Sequence, residues 1–298
     1  MIKFVLLLLL SLAATSQATA AIKWNNSSGS ASSVEGGIDI GKINKIINED
    51  GLGAMGEAKI HSRTNPKNGE QITTSDFSFL NEKSIKFQVA EGQCFDEDCK
   101  TDRERAEITF PKKDMKNKEV WFRVAFFIPK ETQVMWPMRW SIWQIKADVP
   151  SIKEDWKEEG CRTEKNLVLA MINVKKSGVS LTRHGDLFCE HRDFPLASHY
   201  HKETFGKWHD VIINIKFSAN SEEGFMKAYL NGKRRVNFKG PMYDNEISKI
   251  NVRTGIYNTF IKERSDRGTR QMHVDALGMG ESCEDIADKK TCDKLSPK

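Results

Sequence analysis

The sequence lacks any long hydrophobic segment outside its first twenty residues. The apolar run there, FVLLLLLSLAA, is shorter than the roughly 20 residues that a membrane-spanning helix needs. Lys3 precedes this run and Ala18-Thr19-Ala20 follows it, which is the pattern of a secretory signal peptide. We therefore expect a signal peptide over residues 1–20, a flexible N-terminal segment over residues 21–35, and a soluble chain that is secreted or periplasmic.

The sequence also lacks a C-x-x-C pair, and the spacings of its six cysteines fit no zinc pattern. This absence argues against a metal cluster. An even number of cysteines in an exported protein favours disulfides instead. Their order along the chain suggests three local pairs, Cys94–Cys99, Cys161–Cys189 and Cys283–Cys292, although six cysteines permit other connectivities.

The sequence also lacks a strong excess of one charge. It has 46 Lys and Arg residues and 41 Asp and Glu residues, which gives a formal net charge of +5. For an exported protein, so mild a surplus argues against nucleic acid as the partner. A basic surface would attract an anionic ligand over long range, and acidic polysaccharides are common extracellular polyanions. A mixed, solvated surface without functional meaning would carry the same charge.

No alternation of strands with helices is present, which argues against a parallel sheet. Alternating or β-branched apolar residues between turn signals predict strands instead. These strands cover residues 84–90, 105–110, 120–128, 139–146, 166–174, 178–183, 209–218, 224–238, 249–258 and 270–280. Helical patterns are limited to residues 40–50 and 151–160, and Asn231-Gly232 predicts a tight hairpin. The sequence predicts an all-β fold, an antiparallel β-sandwich of the β-jelly-roll type with a few short helices, as one domain over residues 36–298.

Alternation within the predicted strands separates an apolar face from a polar one. In RWSIWQIKAD, residues 139–148, we expect Trp143 and Ile145 in the core. A polar face rich in Arg, Gln, Lys and Tyr suits an acidic sugar polymer, because guanidinium groups pair with carboxylates and aromatic rings stack on sugars. The residues assigned to the polar face are Arg103, Arg105, Glu107, Trp140, Gln144, Lys146, Arg253 and Tyr257. The further substrate-binding candidates are Asn173, Arg183, Lys262 and Arg264.

Three segments resemble the heparin lyase I-like and glucuronan lyase-like polysaccharide lyases. They are WHDVIINIKFSANSEEGFMKAYLNGKRRVNFKGP, VRTGIYNTFIKERS and MHVDALGMGES. The R-x-E of residues 105–107 and the Q-I-K of residues 144–146 are similar to strands of jelly-roll alginate lyases, which carry Q-I-H at the second position. The resemblance spans residues 75–282 and implies a concanavalin A-like sandwich.

The resemblance also implies β-elimination on a uronic-acid polysaccharide, and we expect the protein to be a monomer. We expect that the reaction requires no cofactor, and structural calcium is left open because some relatives use it. In this reaction a cation or amide must neutralise the substrate carboxylate and stabilise the enolate-like charge that develops. A base must remove the C5 proton, and an acid must protonate the leaving glycosidic oxygen.

Position by position, the resemblance gives Arg105 the role of binding the carboxylate, with Glu107 holding its guanidinium, and Gln144 that of the neutralising amide. Tyr257 matches the catalytic tyrosine. Lys146 stands where the alginate lyases carry histidine, so the base is left open. The candidates are Lys146 with a lowered pKa, or a histidine from elsewhere in the chain. The favoured histidines are His184 and His61.

Two other functions compete with a lyase. A non-catalytic, lectin-like carbohydrate-binding protein would keep the sandwich and the stacking and charged groups, but would need no catalytic tyrosine. A glycoside hydrolase would need two carboxylates flanking the scissile bond, and the E-x-D-x-x-E pattern of sandwich hydrolases is absent from the strands. Each residue also has an ordinary explanation, since an Arg-x-Glu pair on a strand is most often a surface ion pair.

Overall fold

The structure, a computed structural model, describes residues 34–35, 38–49, 55–65, 70–132, 139–148, 166–175, 177–184, 191–198, 204–243, 249–259 and 268–295. Several predictions fall outside these ranges. They are the signal peptide, the helix at residues 151–160, the Cys161–Cys189 pair, Lys262 and Arg264.

Two seven-stranded antiparallel sheets make up most of the described chain. In chain order the strands are β1 (Val34–Glu35), β2 (Ile38–Asp39), β3 (Lys59–Ile60), β4 (Ile72–Ser75), β5 (Ser84–Val89), β6 (Arg103–Thr109), β7 (Glu119–Phe127), β8 (Arg139–Asp148), β9 (Asn166–Lys175), β10 (Gly178–His184), β11 (His191–Ser198), β12 (Trp208–Lys216), β13 (Phe225–Leu230), β14 (Lys233–Lys239), β15 (Lys249–Thr259) and β16 (Arg270–Gly280). The helices are α1 (Ile40–Glu49), α2 (Glu97–Lys100) and α3 (Lys289–Leu295), with a 3-10 turn at Cys283–Asp285. None of these helices has the length and apolar character needed to cross a membrane.

The two sheets pack face to face and enclose one large hydrophobic core. Sheet I has the strand order β11-β10-β9-β8-β15-β6-β3, and sheet II has the order β14-β13-β12-β7-β16-β5-β4. Trp143 of sheet I meets Phe122 of sheet II edge to face, with 5.5 Å between ring centroids. The predicted antiparallel β-sandwich is therefore confirmed. We call the face of sheet I that turns away from this core the site face.

The structure corrects the predicted orientation of Trp140. The pairing of β8 with β9 shifts between Ser141 and Trp143, so Ile142 is an extra residue in β8. Such a bulge reverses the alternation on one side of it. Trp140 consequently lies in the core with Trp143, fully buried, and Ser141 lies on the site face with Gln144. A substrate-binding role for Trp140 does not fit this burial.

The structure also corrects the substrate-binding assignment of Arg183. Its β10 neighbour Thr182 lies on the site face, so Arg183 turns toward sheet II. There its Nε donates to the carbonyl of Pro241 over 3.2 Å, and its guanidinium lies 4.4 Å from the centre of the Phe238 ring. Arg183 is buried between the sheets and does not face the site.

Two of the predicted disulfides are confirmed, Cys94–Cys99 and Cys283–Cys292. The second belongs to a C-terminal segment that covers part of the outer face of sheet II. Ile286 is buried in a small apolar cluster against that face. The hydroxyl of Tyr229 donates to the carbonyl of Leu295 over 3.0 Å and fixes the end of the segment.

Candidate active site

Three neighbouring strands of sheet I, β6, β15 and β8, bring the predicted residues together. Tyr257 of β15 lies opposite Arg105 of β6 on one side and Ser141 of β8 on the other. Arg253 lies opposite Gln144. The alternation in β6 and β15 was predicted correctly, so these side chains share the site face.

Gly255 allows β15 to approach β6 closely between Arg253 and Tyr257. Its φ of +135° lies in the region that disfavours residues with a side chain. A Cβ at this position would lie 2.1 Å from the carbonyl oxygen of Ala106. The glycine of the G-I-Y motif therefore has a local structural reason, and it sets the spacing of the two functional side chains that flank it.

Each nitrogen of the Arg105 guanidinium donates a hydrogen bond to a carboxylate of the protein. Its Nε donates to Asp98 over 2.7 Å, Nη2 donates to the other oxygen of Asp98 over 3.2 Å, and Nη1 donates to Glu107. Its central carbon also lies 4.2 Å from the centre of the Tyr257 ring. Burial disfavours the charged form, but Glu107 and Asp98 outweigh it and raise the pKa of Arg105. Arg105 therefore orders the site and supports the Tyr257 ring.

Asp98 is a site residue that the sequence reasoning missed. It lies on the four-residue helix α2 and is fully buried, and its second ion pair runs to Arg63 over 3.4 Å. The Cys94–Cys99 disulfide closes the short loop that carries it. The available signal was an acidic residue between two closely spaced cysteines, because a disulfide limits where that side chain can lie.

Glu107 links Arg105 to Gln144. One of its carboxylate oxygens accepts from Arg105 and the other accepts from Nε2 of Gln144 over 2.5 Å. Glu107 thus holds the Arg105 guanidinium, as the resemblance implied. The Oε1 atom of Gln144 is buried and has no hydrogen bond among the described residues, and its amide lies across the strand pair from Arg253.

The hydroxyl of Tyr257 has a cationic donor. Nε of Arg103 donates to the phenol oxygen over 2.7 Å, and Arg103 is held in turn by the carbonyl of Thr101. A guanidinium that donates to a phenol oxygen stabilises negative charge on that oxygen. Tyr257 is half-buried, so its hydroxyl is ordered by the protein while the residue remains accessible from the site face.

His61 lies next to this cluster in its neutral form. Burial, and then the charges of Arg105, Arg253, Arg63 and Lys146, lower its pKa to about 2. Its Nδ1 accepts from the backbone N–H of Arg63 over 3.2 Å. A neutral imidazole that accepts at one nitrogen carries its proton on the other, so Nε2 is a donor.

Arg253 and Lys146 complete the positive charge of the site face. Arg253 is partly exposed, and its Nε has no hydrogen bond among the described residues. Burial lowers the pKa of Arg253, with Glu107 acting in the opposite direction. Lys146 lies on β8 opposite Asn251 of β15 and is partly exposed. These side chains carry charge at the surface, whereas Arg105 does not.

A chain of short hydrogen bonds extends the site face toward the edge strand β11. Ser141 Oγ donates to Asn173 Oδ1 over 2.6 Å, and Asn173 Nδ2 donates to Thr182 Oγ1 over 2.7 Å. Thr182 then donates to Asp193. The structure thus places Asn173 on the predicted face, fully buried. His184 lies farther along β10, two strands from β8, and is buried.

The lowered pKa of His61 predicts a loss of stability in acid. The folded protein keeps His61 neutral, whereas the unfolded chain takes up a proton below the usual value of 6.5. Stability from this residue is therefore full above pH 6.5 and falls as the pH drops toward the folded pKa. Between pH 7 and pH 5 the loss should be about 2 kcal/mol, and His61→Gln should remove it.

Urea unfolding of both proteins at several pH values measures this difference, because the other histidines contribute equally to both. Parallel stability curves for the wild type and His61→Gln would show that His61 is not held neutral in the folded protein.

Comparison with known proteins agrees with the fold. A family model described as polysaccharide lyase matches residues 48–278. The structure is similar to an endo-β-1,4-glucuronan lyase from the fungus Trichoderma reesei, with a TM-score of 0.58, 19% identity, and coverage of 79% of this chain and 95% of that chain. No curated protein sequence matches.

Two further structures share the fold. The alginate lyase Aly36B, in a complex with an alginate trisaccharide, gives a TM-score of 0.50 with 13% identity, over 87% of this chain and 96% of that one. The alginate lyase vAL-1 from a Chlorella virus gives a TM-score of 0.50 with 9% identity, over 80% and 96%. Because the family model covers most of the sequence, the chain belongs to the polysaccharide lyase family.

Proposed function

We propose that the protein cleaves a uronate-containing polysaccharide by β-elimination. The observation that carries this proposal is the charge around Tyr257. Among the described residues around Tyr257, five cationic side chains lie near two carboxylates, those of Asp98 and Glu107, and His61 stays neutral. The cations are Arg63, Arg103, Arg105, Lys146 and Arg253. A site with this surplus favours a substrate that carries carboxylates.

The substrate carboxylate is bound by Arg253, Lys146 and the Nε2–H of His61. Gln144 contributes the second N–H of its Nε2 group, whose first N–H is held by Glu107. This assignment differs from the one that the resemblance implied, because Arg105 is buried and its charge is already paired with Asp98 and Glu107. Arg253 lies beside Gln144 with an unused Nε. Together these donors neutralise the carboxylate and stabilise the enolate-like charge that develops during the reaction.

Tyr257 moves the protons. The phenol oxygen that Arg103 contacts accepts the C5 proton, and the phenol gives its own proton to the leaving glycosidic oxygen. His61 does not serve as the base, because its Nδ1 accepts a backbone hydrogen bond and its other nitrogen carries the proton. Lys146 binds substrate.

The proposal is tested by the appearance of unsaturated uronate. The purified protein is incubated with glucuronan, alginate and heparin, and the ultraviolet absorbance of the unsaturated product is followed. We expect product from at least one of these polymers. If none of them is cleaved although they bind in affinity gels, the protein is a carbohydrate-binding protein and the proposed reaction is wrong.

We also propose that the chain is exported, with residues 1–20 as its signal peptide. Two disulfides among the described residues support this proposal. Such bonds persist in oxidising compartments and are rare in the cytosol.

A further inference from the structure

One surface patch lies far from the site face and is unused by the proposed reaction. Three large apolar side chains between β4 and β5 are exposed: Phe77 by 45%, Phe79 by 37% and Leu80 by 54%. They cover one end of sheet II on the face that turns away from the core. The core separates this patch from the site face of sheet I.

The exposed rings form one packed aromatic surface. Phe77 stacks on Trp208 with 5.5 Å between centroids and an interplanar angle of 20°, and it meets Phe127 edge to face at 4.6 Å. The ring centroid of Phe79 lies 5.7 Å from that of Trp208. We call Phe77, Phe79, Leu80, Phe127 and Trp208 the aromatic platform. Flat, partly exposed rings of this kind pack well against the apolar faces of sugar rings.

A buried carboxylate holds the aromatic platform in place. Oδ2 of Asp275 accepts from the backbone N–H groups of Phe79 over 2.6 Å, Leu80 over 3.0 Å and Asn81 over 3.4 Å. Asp275 is only 2% exposed. The rings are therefore fixed at the surface before any ligand arrives. A fixed surface loses less conformational freedom on binding than a flexible one.

The charges around the aromatic platform suit an anionic ligand. Lys86 of β5 lies opposite His273 on the same outer face, and Lys207 directly precedes Trp208. Neither lysine has an ion pair or hydrogen bond within the part of the chain that the structure describes. Asp76, by contrast, is paired with Lys83 at 2.6 Å. Two lysines are thus available beside the rings, while the nearby aspartate is already neutralised.

We propose that the aromatic platform is a second, non-catalytic binding site for the acidic polysaccharide. Pyranose rings stack on Phe77, Phe79 and Trp208, and the uronate carboxylates pair with Lys86 and Lys207. The ligand class rests on the proposed function. Because the two sites lie on opposite sheets, a short oligosaccharide occupies one at a time. A long polymer held on the aromatic platform raises the concentration of chains near the catalytic site.

Affinity electrophoresis through gels containing glucuronan or alginate tests the site without turnover. The Tyr257→Phe background keeps the polymer intact. Adding Phe77→Ala with Phe79→Ala, or Lys86→Gln with Lys207→Gln, should weaken the retardation roughly fivefold. The matched control is Lys233→Gln, which removes an exposed lysine from the β14 hairpin and should leave retardation unchanged. With Tyr257 intact, the aromatic-platform variants should cleave short oligosaccharides at the wild-type rate.

Several results would overturn the second site. Retardation equal to that of Lys233→Gln would show that the rings bind no polymer. An equal loss of activity on short oligosaccharides would show that the substitutions act on the catalytic site. A change from dimer to monomer in sedimentation would show that the rings cover a second copy of this chain.

If retardation depends on the aromatic platform but no polymer is ever cleaved, the second site stands and the proposed reaction is wrong.

Discussion

Tyr257→Phe should lower kcat on the cleaved polymer by at least about 100-fold and leave KM nearly unchanged. The substitution keeps the ring stacked on Arg105 and removes only the oxygen that Arg103 contacts. Binding depends on the neighbouring cations and amide, so it should survive. Proton transfer depends on the oxygen, so it should not. Initial rates over a range of polymer concentrations separate the two effects.

Tyr243→Phe is the matched control for this result. Tyr243 is buried, and its hydroxyl donates to Asn117 over 3.2 Å, away from the site face. Its loss should leave kcat unchanged. If Tyr257→Phe keeps more than about a tenth of the wild-type kcat, or if it raises KM alone, then Tyr257 binds substrate and the proton transfer belongs to another group.

Glu104→Ala should reduce the free energy of unfolding by about 3–5 kcal/mol. Glu104 of β6 and Arg270 of β16 form a fully buried ion pair that joins sheet I to sheet II. Glu104 also accepts from the backbone N–H of Gly92 over 2.9 Å. Removing the carboxylate leaves the Arg270 charge without this partner in the core. Equilibrium unfolding in urea measures the loss.

Lys83→Ala is the control for the buried ion pair. Lys83 pairs with Asp76 at the surface, where both side chains are largely exposed, and water replaces a lost exposed partner at little cost. We expect no measurable change for Lys83→Ala. A change for Glu104→Ala as small as that of the control would mean that the core accommodates Arg270 without the Glu104 carboxylate, for example through water between the sheets.

Local patterns predicted the part of the fold that depends on short-range alternation. The two-residue turn at Asn231-Gly232 joins β13 to β14, and both residues have positive φ, 50° and 75°. Regular alternation in β6 and β15 placed Arg105 and Tyr257 on one face. The edge strand β11 was missed because Pro195 interrupts its pattern, and proline is tolerated there since an edge strand leaves some N–H positions unpaired.

The rest depends on contacts that a single strand does not encode. The bulge at Ile142 is visible only against the partner strand, so Trp140 was assigned to the wrong face. Asp98 reaches Arg105 through a folded loop. Arg105 and Gln144 both donate to the carboxylate of Glu107, which lies between them and orients both side chains. These are long-range effects of packing and electrostatics.

The Cys94–Cys99 bond has a practical consequence for making the protein. It closes the loop that carries Asp98, the bidentate partner of the arginine beneath the Tyr257 ring. A chain produced in a reducing cytoplasm would form the sandwich, whose core does not include this loop, but would leave that arginine without its covalently anchored partner. Well-folded but poorly active material is the result to expect from such a host. Production through an oxidising compartment avoids it.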